Sequence, residues 1–488
     1  MKVLFITPPL GAWATHGLHR APNQMHAQLA AYIREKEVAE PLVIDCRALG
    51  FDFNALGKEI EKIKPDAVVL GEILHSTGGV AVIWHFNETA KLVKKVSPNT
   101  KTFVGGLWYS ALYKDTLKDN PAIDFVIVGE PEFTLEEALV EINKGTNDFS
   151  KIKGLASRLD GKIVIGPHRE LMQSLDGLPL PAYDLFPMDK YVGHTYWENF
   201  CELMTSRGCP GGCSFCYEWS QYDPRSPKDF VSWRAHSAER VLDELELLTK
   251  KFGVKTVVFQ DDAFNVNKQM VEKVSRGILD RKIKLNWVIL GRADDWVKQI
   301  DLFDLMREAG LFMGLVGIEV ADDEQLKKLG KGVTVSQIKE SVDALRAHKI
   351  ATVGTFMIGF EDDTEERIKQ RFMFADQVDP DVFALQFVTP VPGSPLWMHL
   401  TKKGMLKVEE IDLLKWDFQH PVVPTDYLSI EDLGRLGSWC MREFFSRPGR
   451  IQRIMTSDYS DLAKLCIRDF MENISKFEAA ATKGDSYV

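Results

Sequence analysis

Two long stretches of the chain alternate short apolar runs with amphipathic segments. In the first, apolar runs such as KVLFIT (2–7) and DFVIVGE (124–130) are separated by segments with helical spacing, such as 23–37. Continuous β-branched runs with helices between them indicate a parallel sheet covered on both faces. Residues 1–145 are therefore predicted to form a doubly wound, Rossmann-like α/β domain of about five strands.

The alternation resumes over 195–397, where the strand candidates are CELMTSRG, TVVFQDD, LNWVILGRAD, GLVGIEV, TVGTFMIGF and FALQFVTPVPG. Repeated strand–helix units predict a partial (β/α) TIM-type barrel there. Residues 146–194 end in the proline-punctuated stretch GLPLPAYDLFPMDKY, which indicates an extended linker. Residues 398–488 have helical spacing and are predicted to be a helical C-terminal extension, with a cap over the barrel mouth as the alternative.

Ligands on doubly wound sheets bind beyond the carboxyl ends of the strands, and in the first domain these ends are rich in glycine. Glycine at such a position lets a ligand approach the backbone closely, although each one could equally be an ordinary turn residue. No GxGxxG or P-loop sequence follows the first strand, which disfavours a simple nucleotide-binding domain. The candidate cofactor-binding residues at these ends are Pro9, Gly71, Gly105, Gly106, Gly129 and Glu130.

The barrel strands show a second regularity, because polar residues follow their carboxyl ends. These residues are Asp261, Asp262, Arg292, Glu319 and Thr389. Barrel enzymes build their active sites at this face. The repetition from strand to strand carries more weight than any one residue, each of which could be a solvated turn residue.

Three of the chain's seven cysteines lie close together in SRGCPGGCSFCYEW, at Cys209, Cys213 and Cys216. Thiolates at this spacing point to a metal. Structural zinc takes four ligands, and no fourth ligand is evident nearby. An iron–sulfur cubane held by three thiolates leaves one iron open to bind a substrate. The pattern favours a cluster, and zinc is the alternative.

Length, charge and hydropathy narrow the class of protein. The chain has 488 residues, too many for one hydrophobic core. The net charge of −10 argues against a dominant nucleic-acid surface. No apolar run reaches the length of a membrane span, and no cleavage site follows MKVLFITPPL. We therefore expect a cytoplasmic protein with reduced thiols, no membrane span and no nucleic-acid partner.

The cysteine spacing, with Phe215 directly before the third cysteine, resembles the signature of the radical S-adenosylmethionine enzymes. The resemblance implies a 4Fe–4S cluster held by the three cysteines and S-adenosylmethionine chelated to its open iron. Stretches such as LPLPAYDLFP, FQDDAFNVN, GTFMIGFEDDTEE and FVTPVPGSPLW are similar to the cobalamin-dependent subgroup. That subgroup, which includes the anaerobic magnesium-protoporphyrin IX monomethyl ester cyclases and class B methyltransferases, places a cobalamin-binding domain before the barrel.

The resemblance also implies which residues bind S-adenosylmethionine. Phe259, Asp261 and Asp262 would lie beside the methionyl amino group, and Arg292 and Glu319 near its carboxylate or the ribose. An arginine suits a carboxylate through bidentate hydrogen bonding. Glu319 could instead be a barrel-interior residue paired with Arg292, because buried charges are usually paired. The backbone groups implied to flank the adenine are those of Phe215 and Gly359.

The resemblance weakens at two places in the first domain. Some cobalamin domains supply a histidine from an Asp-x-His-x-x-Gly stretch, but THGLHRAPNQ offers His16 and His19 without the Asp and Gly. We therefore expect no histidine from this domain on the lower face of cobalamin. Trp108, in VGGLWYS, stands where relatives commonly have a polar residue. It could pack on the corrin plane or fill a pocket that no longer holds cobalamin.

The function implied by this resemblance is anaerobic methyl transfer to an unactivated carbon or phosphorus of a small-molecule substrate. It would proceed through a deoxyadenosyl radical and methylcobalamin, with an electron donor such as flavodoxin or ferredoxin. The alternative is radical oxidative cyclisation or rearrangement of a tetrapyrrole or lipid-like substrate without methyl transfer. An RNA methylthiotransferase would need a second cysteine-held cluster in the first domain, which has only Cys46. A non-catalytic zinc module is the remaining alternative.

Overall fold

Two large sheets, one mostly parallel and one wholly parallel, form the centre of the protein in this computed structural model. Within the described residues, no helix is long and apolar enough to cross a lipid bilayer. The structure describes residues 1–10, 17–72, 82–220, 223–226, 233–447 and 449–483.

The first sheet has seven strands in the order β2-β1-β3-β4-β5-β6-β7. Strands β1 to β5 pair in parallel, as predicted. The strands are β1 (Lys2–Thr7), β2 (Glu40–Asp45), β3 (Ala67–Glu72), β4 (Lys101–Gly106), β5 (Phe125–Ile127), β6 (Leu155–Leu159) and β7 (Lys162–Ile165). The helices are α1 (Gln24–Glu35), α2 (Cys46–Leu49), α3 (Phe53–Ile63), α4 (Val82–Val96), α5 (Leu107–Ala111), α6 (Tyr113–Asp119) and α7 (Glu132–Asn143).

Alternate residues of β1 enter opposite hydrophobic cores. Leu4 and Ile6 join one core cluster, and Val3 and Phe5 join another. Because successive side chains of a strand point to opposite faces, the sheet is covered on both sides. This arrangement confirms the doubly wound class.

The hairpin β6–β7 lies inside 146–194, to which the sequence analysis assigned no strand. Strand β6 pairs antiparallel with β5, and β7 pairs antiparallel with β6. The two strands are short and half-buried, and β7 begins with two exposed residues. Such a strand lacks the continuous apolar run that marks a buried one, so its sequence resembles that of a linker.

The second sheet has six parallel strands in sequence order, which confirms the partial barrel. Two short antiparallel pairs precede or interrupt it, and one of them frames the cysteine-bearing loop. The barrel strands are β10 (Phe200–Leu203), β13 (Thr256–Phe259), β14 (Asn286–Arg292), β15 (Leu311–Glu319), β16 (Ala351–Ile358) and β17 (Val382–Phe387). The short strands are β8 (Val192–Gly193), β9 (Trp197–Glu198), β11 (Ser206–Arg207) and β12 (Arg234–Ala235).

Helices cover the outer face of the barrel sheet, and local signals set their ends. Helix α8 begins after Ser237, whose side chain accepts from the Arg240 N–H, and ends at the left-handed Gly253. The helices are α8 (Ala238–Phe252), α9 (Lys268–Asp280), α10 (Ala293–Val297), α11 (Phe303–Glu308), α12 (Asp323–Lys328), α13 (Val335–Ala347), α14 (Glu365–Val378) and α15 (Pro395–Lys403).

The C-terminal helices pack onto the barrel, which confirms the predicted helical extension. Helix α18 places Ala463 and Ile467 in the same core cluster as Val258 and Val288 of the barrel strands. It therefore packs on the face of the sheet opposite to α8, whose Leu242 and Leu245 share another core cluster with Val257 and Phe259. The helices are α16 (Ile430–Ser446), α17 (Arg450–Thr456), α18 (Asp461–Glu472) and α19 (Ile474–Lys483).

Candidate functional site

The three cysteines lie in the loop that leaves β11 and returns to β12. These two strands form an antiparallel neck in which Arg207 lies opposite Arg234. Two backbone hydrogen bonds fix the middle of the loop: the Ser214 N–H donates to the Leu329 carbonyl (2.8 Å), and the Leu396 N–H donates to the Ser214 carbonyl (3.0 Å). The loop is thus held at its neck and at its centre.

The three thiols are partly buried neighbours. All are free cysteines of intermediate exposure. Burial raises the pKa of Cys209 to about 11 and that of Cys216 well above its usual value, and the other thiols add to both shifts through their charge. In the part of the chain that the structure describes, no three His, Cys, Asp or Glu side chains converge as ligands of a single ion.

Glycines let this loop lie against charged and backbone groups. A Cβ added to Gly211 would lie 2.8 Å from Arg292 Nη1 and 3.3 Å from Cys209 Sγ. Gly330 has φ +72°, and a Cβ there would lie 2.5 Å from the Gly212 carbonyl oxygen. Gly330 must be glycine because of its positive φ and the backbone oxygen that it approaches, whereas the end of the Arg292 side chain could move to admit a Cβ at Gly211. The thiol donors and this cradle fit an iron–sulfur cluster.

Phe259 and Asp261, at the end of β13, are buried rather than open to a ligand. The Phe259 ring packs 4.5 Å from Phe264 between centroids. Asp261 Oδ1 accepts from the Thr205 N–H (2.9 Å) and hydroxyl (3.0 Å) and from the Ser206 hydroxyl (2.5 Å). Burial raises the pKa of Asp261 to about 7 despite these bonds. Asp261 therefore ties β13 to the neck of the cysteine loop.

Asp262 lies in a polar group that the sequence analysis did not recognise. The Tyr217 hydroxyl donates to Asp262 Oδ1 (3.0 Å). The neighbouring Glu218 is 1% exposed, and burial, followed by the charge of Asp262, raises its pKa well above the usual value. Tyr217 and Glu218 directly follow Cys216, and this position beside the cysteine motif could have identified them from the sequence. The two carboxyl groups suit an ammonium beside the third cysteine.

Glu319 is paired with Lys331, not with Arg292. Its carboxylate lies 2.7 Å from Lys331 Nζ, with side chains 9% and 8% exposed. Burial alone would lower the pKa of Lys331, but the charge of Glu319 raises it. The Thr355 hydroxyl contacts both carboxylate oxygens at 3.3 Å. Glu319 has φ +63°, an uncommon left-handed conformation for a side-chain-bearing residue.

Arg292 turns toward the cysteine loop. Its Nε donates to Asp294 (3.1 Å), and its Nη2 donates to the Lys331 carbonyl (2.8 Å). The side chain is 15% exposed, and its Nη1 is the atom that a Cβ on Gly211 would meet. Arg292, Lys331 and Glu319 therefore line the same side of the cysteine loop at the ends of β14 and β15.

Gly359 directly follows β16, and Phe215 packs near the next residue, Phe360. Gly359 has φ +99°, and its N–H donates to Asp363 Oδ2 (2.8 Å). Asp363 in turn pairs with the buried Arg371 at 2.8 Å. The Phe215 ring lies 6.0 Å from the ring of Phe360 at 71°. The two backbones predicted to flank an adenine are thus brought to one side of the barrel.

Glycines with positive φ end three neighbouring strands of the first sheet. The φ values are +147° at Gly71, +101° at Gly106 and +84° at Gly129. A Cβ on Gly71 would lie 2.4 Å from the carbonyl oxygen of Gly105, its partner on β4. Pro9, at the end of β1, is half-buried. A backbone bare of side chains along one sheet edge suits a flat ligand laid over it.

Trp108 fills the junction between the domains. It is 8% exposed, and its ring lies 5.9 Å from that of Trp397 at 86°. Of the two histidines considered above, His19 is buried and contacts Glu202 at 3.0 Å. His16 lies outside the described residues, as do 11–16 and 73–81, which follow β1 and β3.

Glu130 and Glu132 connect the first sheet to the neck of the cysteine loop. Glu130 accepts from Arg234 Nη1 (2.8 Å) and Arg207 Nη1 (3.1 Å), and its other oxygen accepts from the Met172 N–H (2.7 Å). Arg207 also pairs with Glu132 at 2.5 Å. Burial alone would raise the pKa of Glu130, but the two arginines hold it below its usual value. The sheet edge that carries Gly71, Gly106 and Gly129, called the glycine edge below, is thus joined through Glu130 to the neck of the cysteine loop.

Two family models match this chain. The model of the Radical SAM superfamily matches residues 203–375, and that of the B12 binding domain matches residues 19–139. The first match contains the three cysteines and Arg292, Glu319 and Gly359. The second contains the glycine edge. The order of the two domains along the chain is the order predicted from the sequence.

Some relatives match this chain over most of its length, and a solved structure shares its fold. An uncharacterized methyltransferase of Pyrococcus horikoshii is 29% identical over 96% of this chain and 98% of its own length. The anaerobic magnesium-protoporphyrin IX monomethyl ester cyclase of Rubrivivax gelatinosus is 26% identical over 97% of this chain and 83% of its own. The radical S-adenosylmethionine methyltransferase TsrM from Kitasatospora setae, solved with cobalamin and a 4Fe–4S cluster bound, has TM-score 0.71 and 17% identity over 98% and 99% of the two chains.

Proposed function

We propose that this chain, which belongs to the radical S-adenosylmethionine enzymes that carry a B12-binding domain, transfers a methyl group to an unactivated carbon or phosphorus of a small molecule. When bound, the cluster supplies the electron that cleaves S-adenosylmethionine, and cobalamin carries the methyl group. The observation that carries the proposal is the contact between the glycine edge of the first domain and the cysteine loop of the second. Cofactors held at these two places would lie close enough to serve one substrate.

The cysteine loop is proposed to hold the cluster through Cys209, Cys213 and Cys216. The loop wraps closely because Gly211 and Gly212 have no side chains, and its fixed neck keeps the thiols in place. Because the thiols are partly buried, they would hold a cluster away from bulk water. A drier site strengthens the electrostatic interactions made within it.

The charged groups around the loop are proposed to bind the parts of S-adenosylmethionine that match their chemistry. Asp262 and Glu218 suit the methionyl ammonium, and Arg292 suits the carboxylate. Glu319, fixed by Lys331 at 2.7 Å, offers a carboxylate oxygen to the ribose hydroxyls. The backbones of Phe215 and Gly359 are proposed to flank the adenine. Asp261 is assigned a positioning role, because it is fully buried and bonded to the neck.

The glycine edge is proposed to carry cobalamin. Gly71, Gly106 and Gly129 present backbone without a Cβ, so a corrin ring can approach the ends of β3, β4 and β5. Trp108 packs between this edge and Trp397, which places an apolar wall at the junction. The reducing electron is proposed to come from a small donor protein such as flavodoxin or ferredoxin.

Methyl transfer is tested with S-adenosylmethionine that carries a deuterated methyl group. The protein is purified anaerobically, reconstituted with iron, sulfide and hydroxocobalamin, and reduced. We expect both S-adenosylhomocysteine and 5′-deoxyadenosine, together with a product that carries the label. The same assay with the Cys213→Ala variant is the control, because it retains the first domain and loses a cluster ligand.

The cyclase chemistry of the Rubrivivax relative is the outcome that would contradict methyl transfer. A radical cyclisation consumes S-adenosylmethionine to give 5′-deoxyadenosine alone. Formation of deoxyadenosine with an unlabelled, oxidised product and no S-adenosylhomocysteine would therefore refute the proposal while leaving the radical chemistry in place. Absence of deoxyadenosine under all reducing conditions would refute both.

A further inference from the structure

The inner face of the barrel sheet is only partly covered by helix α18. Three apolar side chains of the strands pack against the core cluster that contains α18 residues but are themselves only partly buried: Leu290, Leu315 and Ala384. Leu315 and Ala384 each lie between two buried neighbours in their strands. Because successive side chains of a strand point to opposite faces, the exposure of these residues is on the inner face. The three side chains, called the inner floor below, form an open apolar surface inside the barrel.

The inner floor lies close to the residues that are proposed to bind S-adenosylmethionine. Leu290 precedes Arg292 by two residues on β14, and Leu315 precedes Glu319 by four residues on β15. At about 3.3 Å per residue, these separations are about 7 and 13 Å along the strands. Leu290 lies opposite Leu315, and Ala384 lies two strands further on, so the floor is about 14 Å wide. This width suits a fused-ring or long-chain carbon skeleton.

Two neutral amide side chains flank the inner floor. Gln260 directly follows β13 and is on the same face as Val258, which belongs to the α18 cluster. Gln386 follows Ala384 by two residues on β17, so it shares the face of that residue, and it is half-buried. An amide donates and accepts hydrogen bonds without carrying a charge. An apolar surface with a few neutral polar groups is typical of a site for a small molecule.

The charged residues on the inner face already have partners. On the described barrel strands, the charged side chains that face inward are those of Glu202, Arg292 and Glu319. Arg292 donates to Asp294 (3.1 Å), and Glu319 pairs with Lys331 at 2.7 Å. A substrate on the inner floor therefore meets no unpaired basic side chain on these strands.

Glu202 carries a negative charge but is closed to a ligand. It is 2% exposed, accepts from Gln260 Nε2 (2.8 Å) and lies 3.0 Å from His19 Nε2. His19 Nδ1 accepts from the His194 N–H (3.3 Å), so the ring is neutral and donates its Nε2–H to Glu202. The buried carboxylate disfavours an anion on the inner floor, and its burial keeps a cationic ligand from pairing with it.

We infer that the inner floor binds the methyl-accepting part of the substrate, and that this part is an uncharged, mainly apolar carbon segment. The inference rests on the proposed function and narrows it from carbon or phosphorus to carbon, because phosphonate and phosphinate groups are anionic. Asp262 and the buried Glu218 add acidic groups beside the third cysteine, not basic ones. Gln260 and Gln386 orient the segment through a hydroxyl or carbonyl group.

The first test uses Nile red, an uncharged apolar dye whose fluorescence rises when it leaves water. The full-length apoprotein is titrated with the dye, and urea unfolding checks that each variant is folded. Ala384→Glu places a carboxylate on the inner floor, and Ala384→Gln adds the same bulk without the charge. We expect Ala384→Glu to bind the dye about 10-fold more weakly than Ala384→Gln, because an unpaired charge resists transfer from water. Equal affinities in the two variants would overturn the inference.

Two further variants locate the dye. Met373→Glu places the same carboxylate at a residue of α14 that is 59% exposed, and it should bind as the wild type does. Loss of binding in Met373→Glu but not in Ala384→Glu would place the dye on the outer surface and overturn the inference. Gln386→Glu adds a charge at a half-buried polar position without changing size, so it replaces Ala384→Glu if that variant fails to fold. It should also weaken binding about 10-fold.

The second test identifies the charge of the methyl acceptor. Extracts of the cells that make this protein are separated by ion exchange into uncharged and charged fractions, and each is supplied to the assay with methyl-deuterated S-adenosylmethionine. We expect the label in a product from the uncharged fraction. Label confined to a charged fraction would overturn the inference and leave methyl transfer in place. Absence of both label and S-adenosylhomocysteine from every fraction would refute the proposed function instead, and the dye titrations then decide the inference.

Discussion

The buried pair Glu319–Lys331 allows a structural role to be separated from binding of S-adenosylmethionine. The perturbation is Glu319→Gln alone, compared with Glu319→Gln combined with Lys331→Met. The single variant leaves the Lys331 ammonium buried without its partner at 2.7 Å. The double variant removes both charges and keeps a side chain at position 319 that tolerates φ +63° as glutamate does.

The magnitude follows from the burial of the pair. Both side chains are less than 10% exposed, at 8% and 9%, so solvent screens the interaction only weakly. Breaking a buried ion pair by removing one partner costs about 3–5 kcal/mol, whereas replacing both partners with neutral groups of similar size is close to neutral. Glu319→Gln should therefore lower the free energy of unfolding of the barrel by about 3–5 kcal/mol, and Lys331→Met should restore most of it.

Two measurements on each variant decide the question. Urea unfolding of the apoprotein, followed by tryptophan fluorescence, to which the buried Trp287 and Trp296 of the barrel contribute, reports stability. Calorimetric titration of the reconstituted protein with S-adenosylmethionine reports binding. If Glu319 contacts the ribose, the double variant regains stability but still binds about 10-fold more weakly, the loss expected for hydrogen bonds to a charged group. Recovery of binding together with stability would refute this reasoning and leave Glu319 a structural residue.

Three further predictions concern the cluster, the buried acid and the neck. Cys213→Ala should lose the iron chromophore and deoxyadenosine formation while the apoprotein still binds hydroxocobalamin; full cleavage activity would contradict its role. Burial raises the pKa of Asp261 from 3.8 to about 7, so the native apoprotein binds more protons than the unfolded chain, and its stability should fall by up to about 4 kcal/mol as pH rises through that window. Asp261→Asn should flatten that profile in urea titrations. Arg207→Gln leaves Glu132 buried without its partner and should lower the free energy of unfolding by about 3–5 kcal/mol. It should also make the cysteine loop more susceptible to limited proteolysis than Arg281→Gln does, which is the control at the surface.

The fold could be predicted from the sequence where a strand is marked by its own short apolar run. Each barrel strand is a short apolar run that ends in a polar residue or glycine, and the six-stranded sheet contains all six of them in order. The same holds for the five parallel strands of the first domain. The hairpin β6–β7 was not predicted, because β6 joins the sheet by pairing with β5, and β7 joins it by pairing with β6, without the continuous apolar run of a buried strand.

The candidate site was predictable only in part, because its pairs join residues that are distant in sequence. Lys331 was not recognised as the partner of Glu319, because it reaches the carboxylate from the loop after α12, past Gly317, where a Cβ would lie 2.5 Å from its Nζ. Arg292 was considered as that partner, but its guanidinium turns toward the cysteine loop. The position of a charged residue at a strand end indicates that it faces the site, whereas the choice of its partner requires the folded loops.

The neck of the cysteine loop is closed by charges from both domains. Arg207 and Arg234 lie directly opposite each other on β11 and β12, and like charges in that position destabilise an isolated strand pair. Glu130 and Glu132 of the first domain neutralise them. The loop that bears the cysteines is therefore closed by charges that the other domain supplies. Its ends are stable only when the glycine edge is in contact, so the position of the proposed cluster depends on the domain that is proposed to carry cobalamin.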